Sequence, residues 1–120
     1  MNLDRTVLKQ VVDLIGEKKG HDIALLDLRE ISLVADYFLI VTGNTTTQVK
    51  AMAEHVEEKL PELGIPVLRI EGIPQAQWVL IDCGDLVFHL MTPDNREFYQ
   101  IERLWGDAKV ITFEGGSSLQ

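Results

Sequence analysis

The fold of this chain is decided by one stretch, Trp78-Val79-Leu80-Ile81-Asp82-Cys83-Gly84-Asp85-Leu86-Val87-Phe88-His89-Leu90. Two apolar runs, rich in β-branched and aromatic residues, flank a Cys-Gly pair. Glycine at the second central position favours a two-residue turn with positive φ. The stretch therefore predicts a β-hairpin that turns at Cys83-Gly84, with Asp82 opposite Asp85 and Trp78 opposite His89.

The two faces of this hairpin differ in character, because side chains alternate across a strand. One face is entirely apolar and predicts the core side: Val79, Ile81, Leu86, Phe88 and Leu90. The other, which we call the mixed face, carries Trp78, Leu80, Asp82, Asp85, Val87 and His89. Two interpretations of the mixed face stay open. It is a contact surface with an aromatic centre and an acidic rim, or a helix covers it and Trp78 belongs to the core.

Composition places the chain among ordinary globular proteins. A length of 120 residues fits one domain with its own core, and 46% hydrophobic with 25% charged residues is typical of this class. No apolar run reaches the roughly 20 residues that span a bilayer, and the N-terminus lacks the pattern of a secretory signal. The single cysteine, Cys83, cannot form an internal disulfide. We therefore expect a cytoplasmic location.

The charge balance argues against direct binding to nucleic acid. There are 19 acidic and 11 basic residues, the net charge is -8, and no basic run is present. Proteins that grip phosphates need clustered Lys and Arg, because neutralising phosphates is the main source of such affinity. An acidic protein is better suited to a basic protein partner, whose approach its field assists.

The segments before the hairpin predict helices and strands in turn. Apolar side chains at helical spacing over residues 3–19, with Gly20 after them, predict a first helix. Thr45 and Gln48 have the spacing of a capping box, which predicts a second helix that ends near Leu60.

Three further runs predict strands besides the hairpin. Residues 23–28 and 37–42 are nearly continuously apolar, and the connection between them is too short for a helical crossover, so they are predicted to be antiparallel. Residues 67–70 follow a long connection, which predicts a parallel βαβ unit. The fold class is therefore α/β (α+β), with a mixed five-stranded sheet packed with about three helices.

A third helix is predicted to begin at Pro93, which is followed by Asp94 and Asn95. Its segment 97–104 places Phe98, Ile101 and either Glu102 or Trp105 on one face, with Tyr99 and Arg103 on another. We expect residues 1–108 to form a single domain and residues 109–120 to be a flexible C-terminal tail.

Catalytic chemistry finds little support in the sequence. Gly43–Thr45 joins a strand to a helix N-terminus, where backbone N–H groups can bind phosphate, but helix capping by Thr45 explains the same residues. Asp82 and Asp85 are able to bind a divalent metal, yet simple solvent exposure at a turn also accounts for them. The three histidines match no metal motif. We predict no catalytic residue, metal site or cofactor. The alternative is a nucleotidyltransferase-like enzyme that binds a phosphate or nucleotide at Gly43–Thr45 with Asp82 and Asp85.

Three ordered blocks of sequence resemble one known family. The blocks are Ala35-Asp36-Tyr37-Phe38 with Thr42-Gly43-Asn44-Thr45 and Gln48-Val49-Lys50-Ala51; then Glu71-Gly72 with Trp78 to Asp85, Val87 and His89; then Arg96, Phe98-Tyr99 and Glu102-Arg103-Leu104-Trp105-Gly106-Asp107-Ala108. Over residues 3–108 the chain resembles the ribosomal silencing factor family, RsfS, also called Iojap-like. Cys83 stands where that family often has Tyr.

The resemblance implies a nucleotidyltransferase-like fold without established catalysis. It implies binding to the large ribosomal subunit through ribosomal protein fourteen, which blocks joining of the small and large subunits and represses translation under nutrient limitation. It also implies a homodimer when the protein is free. Carried over to this sequence, Trp78 is the leading contact residue, with Leu80, Asp82 and Asp85 around it. The second tier is Tyr99, Arg103 and Trp105.

Overall fold

The structure, a computed structural model, describes residues 3–113. Its helices are α1 (Arg5–Gly16), α2 (Thr46–Lys59), α3 (Pro93–Tyr99) and α4 (Ile101–Leu104), with a 3-10 helix at Leu60–Leu63. Its strands are β1 (His21–Asp27), β2 (Tyr37–Thr42), β3 (Arg69–Glu71), β4 (Trp78–Asp82), β5 (Leu86–Met91) and β6 (Lys109–Ile111). No helix within residues 3–113 has the length and apolar character needed to cross a membrane.

The six strands form one mixed sheet in the order β3-β4-β5-β2-β1-β6. β2 and β5 are parallel neighbours, and every other pair is antiparallel, including β1 and β2 as predicted. The predicted mixed sheet is therefore confirmed, but the count of five strands was wrong. The sixth strand, β6, pairs with β1 and comes from residues that were predicted to belong to the C-terminal tail. It has three residues and an exposed Val110, so it carries no periodic signal. The rest of the predicted tail, residues 114–120, lies outside the described residues.

The strand predicted at residues 67–70 takes a different position from a simple βαβ partner. β3 runs in the same direction as β2, as the long connection predicted. However, it pairs antiparallel with β4, and two strands, β4 and β5, separate it from β2. The β4–β5 hairpin inserts between them, because β5 is the strand that pairs directly with β2.

The hairpin register was wrong by two residues. Asp82 pairs with Val87, and Trp78 pairs with Met91. The turn lies one residue later than predicted, with Gly84 (φ +88°) and Asp85 at its centre. The carboxylate of Asp82 explains the later turn, since its Oδ1 accepts the Gly84 N–H at 2.8 Å and so favours a local turn after Cys83. A shift of two leaves the alternation unchanged, so the strand residues keep the predicted faces.

The apolar face packs against α1 and α2, and its side chains are completely buried: Val79, Ile81, Leu86, Phe88 and Leu90. The predicted cap of α2 is confirmed, because Thr45 Oγ1 accepts the Gln48 N–H at 3.1 Å. The Gln48 side chain also donates to the carbonyls of Lys18 and Lys19, which ties α2 to the end of α1. This half of the protein forms the rigid support of the hairpin.

The other side of the sheet is covered only in part. The predicted third helix is two short helices, α3 and α4, which break at Gln100 (φ +43°). Ile101 and Trp105 pack over β1, β2 and β5. Leu80 and Asp82 of β4 stay half-exposed beside this cover. Each interpretation of the mixed face therefore describes one part of it: helices cover the part over β5, and the part over β4 is open.

Arg96 fastens the helical cover to one end of the sheet. Its guanidinium donates to the carbonyl of Asp22, to Thr42 Oγ1 at 2.9 Å and to Glu102 Oε2 at 2.7 Å. These bonds join β1, β2 and α4 through one side chain. Charge-assisted bonds of this kind are the stronger class of hydrogen bond.

Candidate functional site

Trp78 lies where the covered and open parts of the mixed face meet. On the covered side its indole Nε1 donates to His89 Nδ1 at 3.1 Å. The row of rings continues from His89 to Phe38, with 4.5 Å between centroids, and from Phe38 to Trp105, with 5.7 Å. Packed rings at these distances stabilise one another beyond simple burial. The inner edge of Trp78 is therefore held by a row of packed rings that begins at the buried His89 and continues through the half-buried Phe38 and Trp105.

On the open side, Trp78 continues into exposed aromatic residues. The Tyr99 ring centroid is 4.8 Å from that of Trp78, and Phe98 lies 4.9 Å from Tyr99. Phe98 is 80% exposed and Tyr99 is 48% exposed. Exposed contiguous apolar surface is typical of an interaction site. We call Trp78, Leu80, Phe98 and Tyr99 the aromatic patch.

Leu80 extends this patch toward the edge of the sheet. With Trp78, Glu71 and Gly72 it lines an open cavity of about 310 Å³. Gly72 (φ +91°) lies so close to β4 that a Cβ there would be 2.2 Å from the Trp78 carbonyl oxygen. The conformation at Gly72 thus fixes how closely the β3–β4 connection approaches Trp78.

Acidic side chains border the open part of β4. Asp82 is half-exposed, and Glu71 of β3 is exposed. Arg69 contacts both, with Nε 2.8 Å from Glu71 Oε2 and Nη2 3.7 Å from Asp82 Oδ2. Asp85 is exposed in the turn, where its carbonyl accepts the N–H groups of Asp36 and Tyr37 at 2.9 Å. The acidic rim predicted from the sequence is therefore spread along β4 and its turn.

The second-tier residues are not all in one place. Tyr99 packs beside Trp78 with the two ring planes tilted by 47°, and Trp105 is half-buried against Phe38. Arg103 is exposed, donates to Gln100 Oε1 at 2.7 Å and lines a separate cavity of about 440 Å³ that also contains Arg96. The structure thus brings Trp78, Leu80 and Tyr99 together, and it places Arg103 elsewhere. The partner-binding role of all seven residues stays a prediction.

Sequence reasoning missed Phe98 as part of this surface. The prediction of one continuous helix placed Phe98 on the same face as Ile101, but Phe98 is exposed and Ile101 is buried. The left-handed residue Gln100 changes the helical phase between them. Glu71 and Gly72 were also missed as neighbours of Trp78, although they precede it in the block that resembles the RsfS family.

The residues of the enzyme alternative do not form one site. The Gly43 N–H bonds to the Met91 carbonyl at the end of β2, whereas Asp85 contacts the start of β2. At a rise of about 3.3 Å per residue, the five steps from Tyr37 to Thr42 separate these ends by about 17 Å. Among residues 3–113, no three His, Cys, Asp or Glu side chains converge as metal ligands. The Cys83 thiol is buried, and burial together with the Asp82 charge raises its pKa to about 12.

His89 is held neutral inside the protein. Its side chain is 5% exposed, and burial lowers its pKa from 6.5 to about 4. Since the Trp78 indole is only a donor, Nδ1 must be the acceptor, and the proton of the neutral ring is on Nε2. Nε2 has no hydrogen-bond partner among the described residues. A buried donor without a partner costs about 1–3 kcal/mol of stability.

Lowering the pH should destabilise the fold through His89. The unfolded chain binds a proton at this residue below pH 6.5, and the folded chain does so only near pH 4. Stability therefore falls as pH falls across this window, by about 3 kcal/mol in total from this residue. Urea unfolding at pH 7 and pH 4 measures the loss, and His89→Phe should reduce it by that amount. An equal pH dependence in the variant and the wild type contradicts the assignment.

Comparison with known proteins agrees with this architecture. A protein-family profile described as "Ribosomal silencing factor during starvation" (RsfS) matches residues 2–120. The chain is 42% identical over 112 residues to the ribosomal silencing factor RsfS of Halalkalibacterium halodurans, covering 93% of this chain and 96% of that protein. It is 43% identical to the Bacillus subtilis protein of the same name, with 93% and 95% coverage. A mouse protein named mitochondrial assembly of ribosomal large subunit protein 1 is 31% identical over 82% of this chain and 44% of its own length.

Two crystal structures share the fold. A protein from Chromobacterium violaceum superposes with a TM-score of 0.83 at 35% identity, covering 98% of this chain and 97% of that chain. A protein from Bacillus halodurans superposes with a TM-score of 0.79 at 37% identity, covering 92% and 100%.

Proposed function

The chain belongs to the ribosomal silencing factor family, and from this premise we propose that it binds the large ribosomal subunit through ribosomal protein fourteen. Bound there, it blocks joining of the small subunit and represses translation under nutrient limitation. The observation that carries the proposal is the aromatic patch centred on Trp78 with acidic residues beside it. The name of the mouse relative refers to the large ribosomal subunit, and this supports the large subunit as the binding partner.

The proposed mechanism is occupancy, and it needs no catalysis, cofactor or metal. A net charge of -8 opposes contact with ribosomal RNA, whereas a basic ribosomal protein attracts it. A bulky aromatic side chain held on a rigid strand is the usual centre of a protein interface, and charged groups at the rim set partner choice and encounter rate. Once bound in the cytoplasm, the body of the protein excludes the small subunit sterically.

Two activities test the proposal directly. Purified protein should co-sediment with isolated large subunits, and it should lower the fraction of assembled ribosomes when small subunits are added. Isothermal calorimetry with magnesium and nucleoside triphosphates is the discriminating measurement for the enzyme alternative. Micromolar nucleotide binding, together with no effect on subunit joining, would overturn the proposal.

Self-association is proposed for the same surface. Phe98 and Tyr99 expose apolar area beside Trp78, and a second copy can cover this area when the ribosome is absent. The proposal is a homodimer when free, which separates on binding ribosomal protein fourteen. Mass measurement of the mixture tests it: a one-to-one complex is expected, and a ternary complex that retains the dimer contradicts shared use of the surface.

Charge reversal in the turn should weaken the association. Asp85→Lys places a positive charge near a basic partner, so we expect about fivefold weaker binding to large subunits at low salt and a smaller effect at high salt. Asp85 is the better choice than Asp82, whose carboxylate also holds the turn through Gly84. Glu57→Lys is the matched control, because it makes the same charge change on α2, across the sheet. Equal effects of the two variants would show that only net charge matters.

A further inference from the structure

The hydrogen bond between Trp78 and His89 joins an open surface to the interior. Trp78 is half-exposed, and its indole Nε1–H donates a hydrogen bond to His89 Nδ1, with 3.1 Å between the two nitrogens. His89 itself is 5% exposed and has the Phe38 ring 4.5 Å away. The N–H of the half-exposed indole is therefore bonded to a buried side chain.

The fold alone gives no reason for a histidine at this position. The neighbouring rings are apolar, and the ring's second nitrogen has no partner among residues 3–113. An aromatic side chain without polar atoms would fill similar space and remove the unpaired Nε2 donor, and only the Trp78 N–H would lose its acceptor. What histidine adds here is one acceptor, aimed at the Trp78 indole.

We propose that His89 is a positioning residue that locks the Trp78 indole in the orientation a protein partner recognises. The identity of that partner rests on the proposed function, whereas the locking itself does not. A side chain that is already in its bound orientation loses less conformational freedom on association, so the lock raises affinity without touching the partner. The Tyr99 ring, tilted by 47° with its centroid 4.8 Å from that of the indole, limits the indole on its open side.

Three substitutions of His89 separate the effect of its hydrogen-bond acceptor from the effect of its ring packing. His89→Phe keeps ring volume and removes the acceptor. His89→Asn supplies an amide oxygen near the position of Nδ1, and His89→Gln supplies one nearer the position of Nε2. We expect His89→Phe and His89→Gln to bind large subunits about fivefold to tenfold more weakly, the value of one lost hydrogen bond, and His89→Asn to recover most of the affinity. Thermal unfolding of His89→Phe should occur close to the wild-type temperature, because removal of the unpaired Nε2 donor offsets the loss of the bond to Trp78.

A second readout does not depend on the ribosome. The nitrogen-15 spectrum of the two tryptophan indoles, assigned with Trp105→Phe, reports the Trp78 N–H. Its proton should shift upfield and exchange faster with water in His89→Phe and His89→Gln, and return toward the wild-type position in His89→Asn. An unchanged Trp78 indole signal in His89→Phe and His89→Gln would contradict the proposal that His89 fixes the orientation of the indole. If wild-type protein fails to bind large subunits, the proposed function fails, and the indole signal still decides the role of His89. If His89→Phe does not fold, the comparison of Asn with Gln decides it.

Discussion

Trp78→Ala should abolish co-sedimentation with large ribosomal subunits, with affinity at least about a hundredfold lower, while the protein stays folded. Buried tryptophans at the centre of an interface commonly contribute this much, because truncation removes a large contact and leaves a cavity in the complex. The fold should survive, since Trp78 is half-exposed and lies at the margin of the cluster formed by α4 and the sheet.

The control for Trp78→Ala is Val110→Ala. Val110 is exposed on β6 at the opposite edge of the sheet, so its truncation should change neither stability nor binding. Circular dichroism and thermal unfolding of both variants establish that they are folded, and sedimentation through sucrose then measures binding. Wild-type affinity in folded Trp78→Ala would remove this residue from the contact surface.

Gly72→Ala should cost about 4 kcal/mol in the free energy of unfolding, because it combines a positive φ with a backbone overlap. The φ of +91° disfavours any residue with a Cβ, and that Cβ would lie 2.2 Å from the Trp78 carbonyl oxygen. The β3–β4 connection must move to relieve the overlap, and Trp78 moves with it. The substitution should therefore also weaken binding.

Gly64→Ala isolates the backbone strain from the overlap. Gly64 has a similar φ of +77°, but a Cβ there meets nothing within 4 Å. We expect a loss of about 1 kcal/mol for Gly64→Ala, the cost of the left-handed conformation alone. Urea unfolding of the two variants gives the difference. Equal losses would show that the approach of Gly72 to β4 has no structural importance.

The faces of the hairpin were predictable, but its register was not. Alternation of apolar and polar residues places Val79 and Ile81 in the core under any pairing shifted by an even number of residues. The choice among those pairings was made by Asp82, whose bond to the Gly84 N–H is a local side-chain interaction that hydrophobic periodicity does not report. β6 was not predicted, because a strand of three residues with one exposed apolar side chain is too short to show an alternating pattern.

The residues of the candidate site that lie on β4 could be predicted from the sequence, whereas the position of Tyr99 beside them depends on tertiary structure. Trp78, Leu80 and Asp82 alternate along one strand, so the sequence alone groups them. Tyr99 reaches Trp78 from the last residue of α3, and the sequence does not show where α3 packs. The helix then breaks at Gln100, a residue with positive φ that is not glycine and so gives no sequence signal. The same break sends Arg103 toward the cavity that contains Arg96.

Both outer strands of the sheet have consequences for how the chain meets other molecules. β3 and β6 are three residues long, and charged side chains stand on them: Arg69, Glu71 and Lys109. Short, charged edges discourage the addition of a strand from another chain, which is the first step toward fibrous aggregates. Chains that meet at the exposed aromatic patch are therefore not extended further by strand pairing at either edge of the sheet.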